Sequence, residues 1–287
     1  MTLARVFPRR TNATPRDEYA FIGYPPLECF IPSHIDEIHV SVTFSWDLPE
    51  ARRIQHAWQA LQIAPVHLGG PVFEQSSSIS AAGEFVPGRY LAKGYTITSR
   101  GCPNHCWFCE VPRREGMLHE LEIKPGNKVL DNNLLACSES HVRAVFKMLE
   151  TQKDAILSGG LEARLLKPWH IELFEQAHIK EAFFAYDTPD DLPALKEASR
   201  LLRQSAWHRD YKCRCYVLCG YPGDTLEAAE QRCLKLLRLG FYPFAMYYRA
   251  PSDTSPRLLK PRAWQDLCCT WTRPACINAT KRKLGMK

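Results

Sequence analysis

Between residues 94 and 248 short β-branched or aromatic runs alternate with amphipathic helical segments, and this alternation constrains the fold more than any other feature of the chain. The runs are GYTITS (94–99), NKVLDNN (127–133), DAILS (154–158), EAFFAY (181–186), CRCYVLC (213–219) and FYPFAMYY (241–248). The segments between them carry helix start signals. Ser138 or Ser140 precedes Val142, Val145, Phe146 and Leu149, and Pro168 precedes Ile171 and Phe174. Thr188 stands ahead of Leu192, Leu195, Ala198 and Leu202; Asp224 or Thr225 stands ahead of Leu226, Ala229, Cys233 and Leu236, with Gly240 as the stop. Parallel strands need crossovers of this kind, so repeated βα units predict a parallel sheet with helices outside it. Six strands suit an open or partial barrel, a (β/α)6 arrangement, better than a closed barrel of eight.

A smaller α/β pattern precedes these units. Residues 1–35 are proline-rich and read as irregular. HVSVTFS (39–45) alternates as a strand, and Asp47 is placed to cap a helix with Ala51, Ile54, Trp58 and Leu61 on one face. PVHLGGP (65–71) reads as a second strand. Together they predict a truncated, Rossmann-like α/β unit, and polar EQSSSISAAGEF (74–85) reads as the linker after it. The expected organisation is an N-terminal extension and small α/β unit over 1–90, the partial barrel over 91–250, and a basic, cysteine-containing extension over 251–287.

Apolar residues at 45% and charged residues at 24% exclude disorder over most of the 287 positions. No apolar run approaches the ~18–20 residues that cross a bilayer, and MTLARVFPRRTNATPRD has no secretory apolar core. The expectation is a cytoplasmic protein without a membrane partner. In such a reducing compartment the twelve cysteines would bind metal or do chemistry rather than form disulfides. The net charge of +6 is concentrated at the ends. Arg5, Arg9, Arg10 and Arg16 face no acid within residues 1–16, and eight Lys/Arg face only Asp266 within residues 254–287. Basic ends suit a phosphate-bearing partner, a nucleotide or nucleic acid.

The residues that carry chemistry follow the first of the six runs, in RGCPNHCWFCEVP (100–112). Cys102, Cys106 and Cys109 have the spacing C-x3-C-x2-C, with Phe108 just before the last of them. A loop at the C-terminal end of a parallel strand is where α/β folds place their sites. An iron–sulfur cube needs one ligand per iron, so three thiolates leave one iron open to a substrate or cofactor. The alternative is a zinc-stabilised nucleic-acid-binding module, with His105 or His119 as a fourth ligand.

This loop resembles that of the radical S-adenosylmethionine (radical SAM) enzymes, and the βα units over residues 92–250 resemble the partial barrel of that superfamily. The resemblance implies a 4Fe-4S cluster on Cys102, Cys106 and Cys109, with SAM on the open iron and Phe108 against its adenine. It also implies a flavodoxin- or ferredoxin-like electron donor and activation of a C–H bond, with a nucleobase, nucleotide or nucleic acid as the leading substrate class. DNN, GGLEARLL, FAYDT and YPGDT follow in the order seen in radical SAM proteins with a cobalamin-binding domain ahead of the barrel. The cobalt-ligating D-x-H-x-x-G pattern is missing, and Asp36 and His39 have the wrong spacing, so cobalamin is not expected. The Gly-Gly-Glu element that contacts the SAM amino group in that superfamily is missing after the second run. Asp131, with Asn132 and Asn133, stands in its place. Gly159 and Gly160 would let a ligand approach the backbone, Arg164 would pair with the SAM carboxylate, and Asp187 would hold the ribose hydroxyls. Only 17 residues separate Cys109 from Asn127, so the first barrel helix must be short or absent.

Cys213, Cys215 and Cys219 share parity on one strand and read as small buried hydrophobes, with a second cluster or hydrogen-atom donation as the alternatives. Cys268, Cys269 and Cys276 read as surface cysteines, with an auxiliary cluster as the alternative. Tyr186, Tyr216, Tyr247 and Tyr248 read as core or pocket lining, and His141, His170 and His178 as surface or cap residues.

Overall fold

Alternation along Leu3–Phe7 (β1) turns Ala4 and Val6 to one side, where both are fully buried. The same period in Glu37–Ser41 (β3) turns Ile38 and Val40 the same way. They meet Ala51, Ile54 and Trp58 of the helix Leu48–Ala60 (α1), whose spacing of three and four residues keeps one stripe apolar. Ala20–Ile22 (β2) and Val66–Gly69 (β4) complete a parallel sheet in the order β2-β1-β3-β4. The Trp58 indole packs at 5.0 Å from the Phe21 ring and donates to the Gly23 carbonyl at 3.1 Å. This computed structural model describes residues 1–73, 85–250, 253, 255 and 260–286. Residues 74–84 of the expected linker lie outside the described residues.

The chain divides into two units, Met1–Gly126 with Ala250–Leu258, and Asn127–Arg249 with Leu259–Lys287. In the first, residues 1–35 correct the expectation of irregular chain, because they supply β1 and β2. Arg5 in the middle of β1 disguises the strand. Its guanidinium is satisfied by Asp17 and by the carbonyls of Tyr19 and Gly88. Asp47 is also corrected: its side chain makes no cap hydrogen bond and instead pairs with Arg9. The expected strand at 94–99 is two short ones, Tyr95–Thr96 (β5) and Ser99–Arg100 (β6). After Val111–Glu115 (α2), the short helix that the 17-residue connection allows, His119–Glu120 (β7) pairs antiparallel with β6.

The second unit runs Lys128–Val129 (β8), Glu139–Leu149 (α3), Ile156–Leu161 (β9), Pro168–Gln176 (α4), Glu181–Tyr186 (β10), Leu192–Arg203 (α5), Cys213–Cys219 (β11), Leu226–Leu239 (α6) and Tyr242–Tyr247 (β12). These five strands are parallel and lie in sequential order, an arrangement common to open sheets and partial barrels. Ser138 caps α3 by accepting from His141 N–H, and Thr225 caps α6 by accepting from Ala228 N–H. Between the helices and the sheet, Phe146 stacks on Phe174 at 5.5 Å, and Trp207 meets Phe174 edge-on at 5.1 Å.

The basic segment at the C-terminal end of the chain, beyond the strand–helix alternation, folds into Arg262–Thr272 (α7) and Pro274–Lys283 (α8). Trp271 and Ile277 are buried, Thr272 Oγ1 donates to the Ala245 carbonyl, and Tyr242 donates to Asn278 Oδ1 at 2.5 Å. No helix among the described residues is long and apolar enough to cross a membrane.

Candidate functional site

Cys102, Cys106 and Cys109 sit on the connection between β6 and β7. Pairing of Arg100 with His119 closes the base of that loop. Gly101 adopts φ +75°, and a Cβ there would stand 2.3 Å from the Met117 carbonyl oxygen, so the two ends of the loop pack backbone to backbone. Buried Glu115 accepts from Arg100 Nη1 at 3.3 Å and from Gly101 N–H at 3.4 Å, and Cys102 N–H donates to the Gly116 carbonyl at 3.2 Å. Within the loop, Cys109 N–H donates to the Cys106 carbonyl at 3.0 Å and turns the chain back on itself. Cys102 and Cys109 are half-buried and Cys106 is exposed; all twelve cysteines lie among the described residues and none is in a disulfide.

Phe108 is half-buried and meets exposed Trp107 edge-on at 5.3 Å. Arg114 stands within electrostatic reach of Cys109 and Glu110 and gives the loop a cation. His105 is exposed, and half-buried His119 donates from Nδ1 to the Met117 carbonyl at 3.1 Å. The donor set of the loop is thus three soft sulfurs held on a clamped turn, a composition suited to iron–sulfur or zinc chemistry.

The second unit carries the other expected residues. Asp131 follows β8 and is buried. Gly159 is pressed against it, since a Cβ there would lie 1.7 Å from the Asp131 carbonyl oxygen. The room left by the missing side chain at Gly159 is therefore filled by protein backbone. At Gly160, φ +92°, the nearest atom to a Cβ would be Tyr216 Cδ2 at 3.9 Å, which leaves that side open. The register of β9 against β10 shifts here, with Ser158, Gly159 and Gly160 bulging between Leu157 and Leu161. Tyr216 braces the bulge by donating to the Ser158 carbonyl at 2.8 Å, and burial pushes its phenol up to about 12.

Arg164 is exposed and its fork is held by Glu162 Oε1, at 2.9 Å from Nε and 2.6 Å from Nη2. The other Glu162 oxygen accepts from Asn133 Nδ2 at 2.7 Å. Any ligand carboxylate must compete with Glu162 for Arg164. Asp187 ends β10, and burial, with Asp191 beside it, pushes its carboxyl up to about 7. Asp191 accepts from the N–H groups of Asp187 and Thr188 at 3.0 and 2.9 Å and so shapes the turn.

No family model matches the chain, and no curated protein gives a significant match.

Sequence reasoning missed two groups of the second unit. Asp224, offered there as a cap, instead grips Arg232 at 2.9 and 2.7 Å and accepts from Gly220 N–H, which ties the end of β11 to α6. Cys219 and Cys268 bring their sulfurs to 3.8 Å, and both are buried. Either sulfur can donate to the other, and Cys219 Sγ also reaches the Met246 carbonyl at 3.3 Å; the contact between the two thiols raises the pKa of Cys219 and lowers that of Cys268. The surface reading of Cys268 is thereby corrected, while Cys269 is exposed and Cys276 half-buried. A periodicity of four along α7, shared by Cys268, Trp264 and Thr272, was the available signal. Of the three histidines read as surface or cap residues, His141 and His170 are both buried, and His170 also caps α4 by accepting from Lys167 N–H at 2.9 Å.

Proposed function

We propose that the chain is a radical SAM enzyme in which Cys102, Cys106 and Cys109 ligate a 4Fe-4S cluster. The observation that carries this reading is the clamped three-thiol loop. Gly101, Glu115 and the β6–β7 pairing hold its ends, while all three cysteines keep access to solvent. When bound, the cluster and SAM would supply one electron and a 5′-deoxyadenosyl radical able to take hydrogen from an unactivated C–H bond.

The residues of the chain would bind and orient. Three thiolates satisfy three irons and leave one for the SAM amino and carboxylate groups. Phe108 offers an apolar face on the same loop as the thiolates. In the second unit Gly160 leaves backbone open to an approaching ligand. Asp187, its carboxyl raised to about 7, can both donate to and accept from ribose hydroxyls near neutral pH. A flavodoxin- or ferredoxin-like protein would deliver the electron, and a nucleobase or nucleotide remains the leading substrate class because of the basic ends.

Anaerobic reconstitution of the full chain with iron and sulfide tests the proposal. The expected result is a brown protein that releases 5′-deoxyadenosine from SAM after reduction. Cys106→Ala should abolish that release and leave the circular dichroism spectrum unchanged, since Cys106 is exposed. A colourless protein that retains zinc at this loop would support the nucleic-acid-binding alternative and sink the enzyme reading.

A further inference from the structure

β3 and β4 run side by side in the first unit with His39 opposite His67. Glu37 lies two residues before His39 and therefore on the same face, while Ile38 and Val40 turn the other way onto α1. The register thus gathers two imidazoles and a carboxylate on the side of the sheet away from the helix. One ligand atom from each of Glu37, His39 and His67 lies within 4.8 Å of the other two. The His39 and His67 rings meet edge-on, with centroids 5.5 Å apart. His39 Nε2 is 2.8 Å from Glu37 Oε2, and its Nδ1 is 2.6 Å from the Tyr90 hydroxyl.

We infer that Glu37, His39 and His67 form a binding site for a borderline divalent transition-metal ion of the zinc class, separate from the cysteine loop. Two imidazole nitrogens and one carboxylate oxygen form a set that zinc and its first-row neighbours accept, whereas calcium and magnesium take oxygen. Tyr90 is the orienting partner such a histidine needs. Its hydroxyl can donate to Nδ1 while Nε2–H faces Glu37. Equally, it can accept from Nδ1–H while Nε2 offers its lone pair to a cation. Exchange between the two needs only movement of the ring proton to Nδ1 and rotation of the hydroxyl. His39 is buried and so fixed, while Glu37 and His67 are half-exposed and leave an approach for the ion and for a fourth, exchangeable ligand.

The test is equilibrium dialysis against zinc of the full chain carrying Cys102→Ser, Cys106→Ser and Cys109→Ser, so that thiolate binding at the loop does not contribute. One zinc per chain is expected. Tyr90→Phe should weaken binding by about 10–100-fold, and His67→Gln or Glu37→Gln by at least about 100-fold. Cobalt in place of zinc should give visible bands without the intense near-ultraviolet absorption of a thiolate ligand. Circular dichroism confirms that each variant remains folded, and Glu37→Gln decides if His67→Gln does not. Failure of the parent chain to retain zinc, or equal retention by parent and folded variants, overturns the site. Neither outcome bears on cluster assembly at Cys102, Cys106 and Cys109, which the parent's substitutions have already removed.

Discussion

Asp187 and His170 depart from their ordinary values in opposite directions, so over nearly the same pH interval their contributions to the stability of the second unit run against each other. Asp187, raised from 3.8 to about 7, is favoured in the fold as the neutral acid. Its contribution is fully present below the unfolded value and is lost as pH rises through about 7. His170, lowered by burial from 6.5 to about 4, is favoured as the neutral ring. Its contribution is present above the unfolded value and is lost as pH falls toward about 4. Thermal melts from about pH 4 to about pH 7 should show Asp187→Asn removing the loss of stability that accompanies rising pH. His170→Gln, which keeps an acceptor for Lys167 N–H, should remove the gain of stability that accompanies rising pH over the same interval. A Asp187→Asn profile that follows the parent would refute the assignment. Gly159→Ala is a second residue-scale case. The new methyl would collide with the Asp131 carbonyl, and a loss of about 1–3 kcal/mol is expected in a denaturant titration.

At the scale of elements, legibility followed locality. The starts of α3 and α6 were readable because Ser138 and Thr225 act on N–H groups three residues away. The strand EAFFAY and the strand CRCYVLC have the boundaries read from their β-branched and aromatic content. β1 and β2 were not readable, because one carries a charge at its centre and the other is only three residues long. Arg5 is tolerated there only because Asp17 and the backbone of residues 19 and 88 come to it. The strand expected at 154–158 lies instead at Ile156–Leu161, because pairing with β10 resumes at Leu161 beyond the bulge that holds both glycines. α7 is held by a large buried ring, so Trp271→Ala should cost about 3–5 kcal/mol in chemical denaturation. An unchanged midpoint would mean that α7 contributes nothing to the core.

For the whole molecule, the basic ends take on a structural role that charge counting does not reveal. Arg5 and Arg9 are paired with Asp17 and Asp47, and Lys281 is buried with its ammonium 5.5 Å from the centre of the Tyr242 ring. Ending the chain at residue 259 should therefore do more than remove positive charge. It should uncover Ala245 and Tyr242 and turn a cooperative melt into a broad one with bound hydrophobic dye. A sharp, unshifted melt would show α7 and α8 to be accessory. Of the candidate site, the three cysteines and Phe108 were legible as a spacing on one loop. The clamp formed by Gly101 and Glu115 was not, because it joins residues 14 to 16 positions apart.

Period and spacing are local quantities, so the amino-acid order alone settled the α/β character of the chain, most of its helices and the grouping of Cys102, Cys106 and Cys109. Which strand lies beside which is settled only when apolar faces are buried together over long separations. That packing alone put His67 opposite His39, set Cys268 against Cys219 and pressed Gly159 onto Asp131.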